Sequence, residues 1–196
     1  MPTNPITPPA VAGLLLAAGG GRRFGGPKAL VEHRGQLFVE AAAAALAGGG
    51  CAPVVVVLGA SAAEVRERAD LSDAVLVDNP EWVSGMGSSL RAGLAVLADA
   101  PVDAVLVLPV DTPGVTAAAV RRVAAHTSPD ALVRASYKGR PGHPVLIGRA
   151  HWAGVAELAV GDAGARDYLR RNPVLDVPCA DVASGEDVDR PEDLPS

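Results

Sequence analysis

Residues 11–28 read Val11-Ala12-Gly13-Leu14-Leu15-Leu16-Ala17-Ala18-Gly19-Gly20-Gly21-Arg22-Arg23-Phe24-Gly25-Gly26-Pro27-Lys28. The run 11–17 is apolar without polar alternation, the pattern of a strand buried on both faces of a parallel sheet. It ends in glycines, whose exposed backbone N–H groups can form an anion-binding concavity, and Arg22, Arg23 and Lys28 add positive charge to it. Two better-known phosphate motifs fail here. A dinucleotide fingerprint starting at Gly19 and Gly21 needs a glycine where Phe24 stands, and a Walker loop needs Ser or Thr where Ala29 follows Lys28. On its composition the segment is either an anion-binding loop or an ordinary glycine-rich turn.

Outward from this segment the elements alternate. Residues 38–46 are alanine-rich and stop at Gly48, Gly49 and Gly50, which predicts a helix, and 53–58 predicts a second buried strand. The alternation continues with a helix over 61–69, a strand over 74–77, a helix over 88–98 and a strand over 104–108. Thr116 can cap a further helix to about residue 126, and 131–137 reads as a strand. Such an order predicts an α/β fold, a mostly parallel sheet with helices on both faces. Ligands of these sheets lie beyond the strands' carboxyl ends, so the segments after Ala17, Val77 and Leu108 should meet at one cleft. After Tyr137 the alternation loosens around Gly139, Pro141, Gly142 and Pro144, and two helices near 150–159 and 163–171 read as an insertion over that cleft. The tail 181–196 is acidic and proline-punctuated, too polar for core.

Composition agrees. A chain of 196 residues that is 49% hydrophobic fills one domain, here 11–196 behind a flexible segment 1–10, and 3% aromatic content requires a core of small aliphatic side chains. A net charge of −5 without basic runs argues against nucleic acid as partner. Cys51 and Cys179 are too few and too far apart for a disulfide framework, and the proline-rich start has neither the charged nor the apolar part of a signal peptide. No apolar stretch approaches a membrane span. The expectation is a cytoplasmic protein that contacts no membrane, monomeric or weakly dimeric.

The segment 16–28 resembles the L-A-A-G-x-G-x-R-x-G…P-K signature of the sugar-nucleotide and cofactor nucleotidyltransferases, and the chain is most similar to the molybdenum cofactor cytidylyltransferases. Further stretches carry the likeness: Asn79-Pro80-Glu81-Trp82 with Gly85-Met86-Gly87-Ser88-Ser89-Leu90; Leu108-Pro109-Val110-Asp111-Thr112-Pro113; Gly142-His143-Pro144-Val145; Gly161-Asp162-Ala163-Gly164-Ala165-Arg166; and Asp187-Val188-Asp189-Arg190-Pro191-Glu192-Asp193-Leu194, where Arg190 replaces the usual threonine. The resemblance implies a three-layer α/β/α, Rossmann-like nucleotidyltransferase fold. It places Leu16, Ala17, Ala18, Gly19, Gly21, Arg23, Lys28, Asn79, Gly85, Ser88, Ser89 and Asp111 at the nucleotide, and Asp111 and Asp189 on Mg²⁺, with Mn²⁺ as a substitute. His143, Asp162 and Arg166 fall to the acceptor, and Arg23, Lys28 and Asp111 to catalysis. Each has a plainer reading: Ser88 and Ser89 as helix caps, Asp111 as a turn aspartate, His143 as a loop histidine, Asp162 as a cap and Asp189 as a solvated acid.

The implied reaction is transfer of CMP from CTP to a molybdopterin-type phosphate, with a molybdoenzyme or its maturation chaperone as recipient. GTP is the competing nucleotide, and Ala18, which gives L-A-A-G rather than L-A-G-G, favours CTP. Two rival functions share the fold, a non-catalytic cofactor-handling module and a sugar-phosphate nucleotidyltransferase. The module would be marked by loss of Lys28, Asp111 or Asp189, all of which are present.

Overall fold

A computed structural model describes residues 10–194. The expected flexible segment 1–10 therefore lies, apart from Ala10, outside the described residues.

Strand β1 (Val11–Ala17) has every residue buried. A hairpin of β2 (Glu32–His33) and β3 (Gln36–Leu37) leads to α1 (Phe38–Gly48), followed by β4 (Val54–Leu58), α2 (Ala62–Arg68), β5 (Val75–Asp78), α3 (Met86–Val96), β6 (Ala104–Pro109) and α4 (Ala117–Ala124). Thr116 caps α4 by accepting from the Ala119 amide at 3.3 Å, as its position predicts. Then come β7 (Leu132–Tyr137), β8 (Arg140–Gly148), α5 (Trp152–Leu158), α6 (Arg166–Arg170) and β9 (Leu175–Pro178).

The main sheet runs β5-β4-β1-β6-β8-β7-β9. β5, β4, β1 and β6 are mutually parallel, β8 is antiparallel to both its neighbours, and β9 is parallel to β7. β1 sits among the parallel strands, with Leu15 opposite Val56 on one side and Leu108 on the other. Because alternate residues of a strand point to opposite faces, Leu15 and Ala17 join the layer that holds Leu46 of α1 and Val120 of α4, while Leu14 and Leu16 join Leu90 of α3 and Val155 of α5. Helices thus cover both faces, and the fold is the three-layer α/β nucleotidyltransferase architecture.

Two expectations need correction. The glycine- and proline-rich stretch after Tyr137 is not a loosening: Lys138 and Gly139, at φ 52° and 78°, form a two-residue turn into β8, which lies inside the sheet. Both residues in left-handed geometry match the twist of a hairpin. Pro141 is tolerated because β6 pairs only with the later part of β8, from Val107 opposite Val145 onward. The acidic tail, expected outside the core, sends Val188 into it at 2% exposure, and the Val188 amide donates to the Asp111 carbonyl at 2.8 Å. One apolar side chain among polar neighbours carries no periodic signal.

Candidate active site

The segments that follow β1, β5 and β6 do converge, on a cleft of about 620 Å³. Its floor is Leu16 and Ala18, its walls are Gly19–Arg23, Trp82, Val83, Gly85, Met86 and Ser89 on one side and Pro109, Val110 and Asp111 on the other, with Asp162 and Asp189 at its margins.

The glycine segment closes on itself through Gly21, whose carbonyl accepts from the amides of Phe24, Gly25 and Gly26 at 3.0, 2.9 and 3.2 Å. Gly21 has φ +59°, and a Cβ there would overlap the Gly26 carbonyl oxygen, so only glycine builds this turn. Its closure leaves the amides of Gly19, Gly20, Gly21, Arg22 and Arg23 without a partner among the described residues. A row of uncommitted amides beside Arg22, Arg23 and Lys28 is a polyanion cradle.

Beside it, the Lys28 ammonium donates to Asp111 Oδ2 at 2.9 Å and to Asp189 Oδ1 at 2.8 Å, and Arg23 reaches Asp189 Oδ2 at 3.2 Å. β6 delivers Asp111 just past its end, and the Val188 bond to the Asp111 backbone sets Asp189 beside it. Burial alone would lower the Lys28 pKa, but hydrogen bonds to Asp189 and Asp111 and their charges outweigh it and raise it. The Lys28 hydrogen bond, with its charge, holds the Asp189 carboxyl below the usual carboxylate range. Two hard carboxylates sharing one cation fit a divalent metal that completes its shell with phosphate oxygens.

Asn79 and Ser88, expected at the nucleotide, stand behind the wall. Asn79 Nδ2 donates to Ser88 Oγ at 2.8 Å and Ser89 Oγ at 3.0 Å, and Ser88 Oγ donates back to the Gly85 and Glu81 carbonyls at 2.8 and 3.0 Å. Ser88 is not the cap either, since α3 begins two residues earlier than expected, with Gly85 at its N-cap position and φ +109°. Ser89 alone of this pair faces the cleft. Ser88→Ala is expected to cost about 1–3 kcal/mol by stripping a buried amide of a partner, read as a lower midpoint in urea unfolding. Ala17 is enclosed in the core at 5% exposure.

The acceptor set is not brought together. Asp162 lines the cleft, Arg166 lies exposed on α6 at 3.8 Å from Asp167, and His143 sits within β8, outside the cleft wall. Burial lowers the His143 pKa to about 4, against the opposing charge of Asp111. A histidine neutral in the fold but protonated when unfolded stabilises fully above its unfolded pKa of about 6.5, and that stabilisation is lost as pH falls toward 4. The unfolding midpoint should therefore drop across that window, and less steeply in His143→Asn. Trp82, Val83, Met86, Pro109 and Val110 also line the cleft, beyond the contacts expected from the sequence; the placing of Trp82 and Met86 within the Asn79–Leu90 stretch, and of Pro109 and Val110 within Leu108–Pro113, is the local sign of it.

Uncommitted amides after the central strand, a lysine, one carboxylate just past the next parallel strand's end and a second brought beside it by the tail define a nucleotidyltransferase, an enzyme that handles a triphosphate by position and charge. The profile of the MobA-like NTP transferase domain matches residues 13–177, and the chain belongs to that family. A curated relative, nicotine blue oxidoreductase of Paenarthrobacter nicotinovorans, is 43% identical over 95% of both chains. A Mycobacterium tuberculosis protein matches at TM-score 0.77 and 26% identity, covering 88% of this chain and 89% of that one. Its structure in complex with manganese matches at TM-score 0.73 and 24% identity, covering 86% and 88%. Molybdopterin-guanine dinucleotide biosynthesis protein A from Archaeoglobus fulgidus shares the fold at TM-score 0.62 and 17% identity, covering 93% and 94%.

Proposed function

We propose that this protein transfers CMP from CTP to the terminal phosphate of a molybdopterin-type acceptor, the molybdenum-loaded form in particular, and releases pyrophosphate. The observation that carries the reading is Lys28 held between Asp111 and Asp189 beside a turn of uncommitted amides. An acceptor phosphate oxygen attacks the α-phosphorus in line, a new phosphoanhydride bond forms, and the bond to the β-phosphate oxygen breaks. A phosphate monoester has its second pKa near ~6, so the nucleophile is already ionised and no general base is required. That agrees with His143, whose lowered pKa leaves it neutral.

The remaining problem is repulsion between two anions. The Gly19–Arg23 amides and Arg23 are suited to the β- and γ-phosphates, and Lys28 to charge growing near the α-phosphate. Asp111 and Asp189 would hold Mg²⁺ or Mn²⁺, which would supply neutralising charge to the triphosphate, and the manganese complex of the M. tuberculosis relative supports a divalent ion here. CTP is preferred because Ala18 lies on the cleft floor within L-A-A-G. Turnover with CTP and GTP at equal concentration tests the choice: CTP is expected to win, and a clear GTP preference would overturn it.

One observation favours a second reading, the 43% identity to a protein named as an oxidoreductase. Under it the glycine turn would hold the phosphates of a nucleotide-bearing redox cofactor, and Trp82, Val83 and Met86 a flat substrate. The cysteines would take no part: both are buried, and burial pushes Cys51 to about 12. Transfer chemistry is preferred because hydride transfer gives the Lys28, Asp111 and Asp189 set no task. Consumption of NADH or NADPH with nicotine blue as oxidant, at a rate exceeding CTP turnover, would favour the second reading.

A further inference from the structure

The cleft carries a carboxylate that the transfer step does not use. Asp162 lines the cleft, and its Oδ1 rests against the Gly85 backbone: a Cβ built on Gly85 would lie 2.7 Å from it. Asp111 and Asp189 are both bound by Lys28, whereas Asp162 makes no hydrogen bond or ion pair among the described residues. Ser89 lines the same cleft; its oxygen already accepts from Asn79 Nδ2 at 3.0 Å, so its O–H proton is free to donate into the cleft. Trp82, Val83 and Met86 give the cleft an apolar lining: Trp82 packs against Gly20 of the glycine turn, Met86 against Gly164 near Asp162, and Val83 is 65% exposed. The cleft therefore offers cations for phosphates together with apolar surface, one obligate acceptor and one ready donor.

We propose that Asp162 determines base specificity, accepting from the exocyclic amino group of cytosine while the Ser89 hydroxyl donates to the ring's acceptor edge. This rests on the cleft being a nucleoside triphosphate site. Cytosine offers an N4 amino donor next to an N3 acceptor. Uracil reverses both, setting its O4 lone pairs against the carboxylate, and an acceptor facing an acceptor disfavours uracil by about tenfold or more. The assignment moves Asp162 from the acceptor's side to the nucleotide's.

Equilibrium binding of CTP and of UTP, each with Mg²⁺, is measured by calorimetry on the full chain and on Asp162→Asn. Asp162 is exposed and unpartnered among the described residues, so the variant keeps its fold. The unaltered protein is expected to bind CTP at least about tenfold more tightly than UTP. Asp162→Asn, which can donate to O4 as readily as accept from N4, should bring the two within about threefold, partly by tightening UTP. A ratio unchanged within about twofold overturns the proposal, as does an unaltered protein without preference. If that ratio holds while the variant loses affinity for 6-hydroxymethylpterin, Asp162 belongs to the acceptor and the proposal falls. An unaltered protein that binds no nucleoside triphosphate would instead remove the transferase reading itself.

Discussion

Lys28→Ala is expected to lower turnover by about 10²–10³-fold while leaving the fold intact. The magnitude is that of losing one preorganised charge aimed at a developing negative charge. The ammonium is well placed for this: its side chain is only 13% exposed and it is fixed by two carboxylates, so it needs little reorganisation. The fold should survive because the residue lies on a short turn at the cleft wall, and neither hydrophobic layer includes it. The loss should fall mainly in kcat, with a KM for CTP changed far less, since Arg23 and the glycine amides remain. Unchanged circular dichroism together with activity within about twofold of the unaltered protein would remove Lys28 from the mechanism.

Gly21→Ala should be at least as damaging, by a different route. Any side chain there meets the Gly26 carbonyl oxygen, and φ +59° disfavours every residue but glycine. The turn can relieve the overlap only by opening, which breaks the three amide bonds to the Gly21 carbonyl and scatters the amides that face the phosphates. Affinity for CTP should therefore fall by about 10² or more, measured by calorimetry, while the global unfolding midpoint moves little because the loop lies outside the sheet. Gly25→Ala is the control: its φ is +95°, yet a Cβ there meets nothing within 4 Å, so the effect should be much smaller.

The two variants also separate what is legible in the sequence from what is not. β1, β4 and β6 announce themselves as apolar runs, because a strand covered on both faces has no polar side to interrupt it. The glycine turn follows from such a strand ending in residues that permit positive φ. The aspartate after β6 is readable for the same reason, since strand ends define the cleft. β8 is hidden by prolines and glycines that normally mark loops, and β9 by having a single buried residue, Val177, in its pattern. Nor does spacing along the chain show that Lys28 and Asp189, 161 residues apart, share a hydrogen bond. That proximity depends on Val188 anchoring the tail in the core, a packing event without local signature. Ser88 and Ser89 are adjacent and chemically alike, yet only the start of α3 at Met86 decides which faces the cleft and which is spent on the Gly85 and Glu81 carbonyls.

Nucleotidyl transfer is the activity that the family and the cleft geometry together support for this chain, and one measurement reaches it directly. The protein is incubated with CTP labelled at the α-phosphorus, molybdenum-loaded molybdopterin and Mg²⁺, and the products are separated. Label should pass into the pterin fraction with one pyrophosphate released per transfer, and both should vanish when the metal is chelated or the acceptor omitted. Label remaining in CTP under all conditions, with CTP and GTP alike and with Mn²⁺ in place of Mg²⁺, would contradict the transfer mechanism.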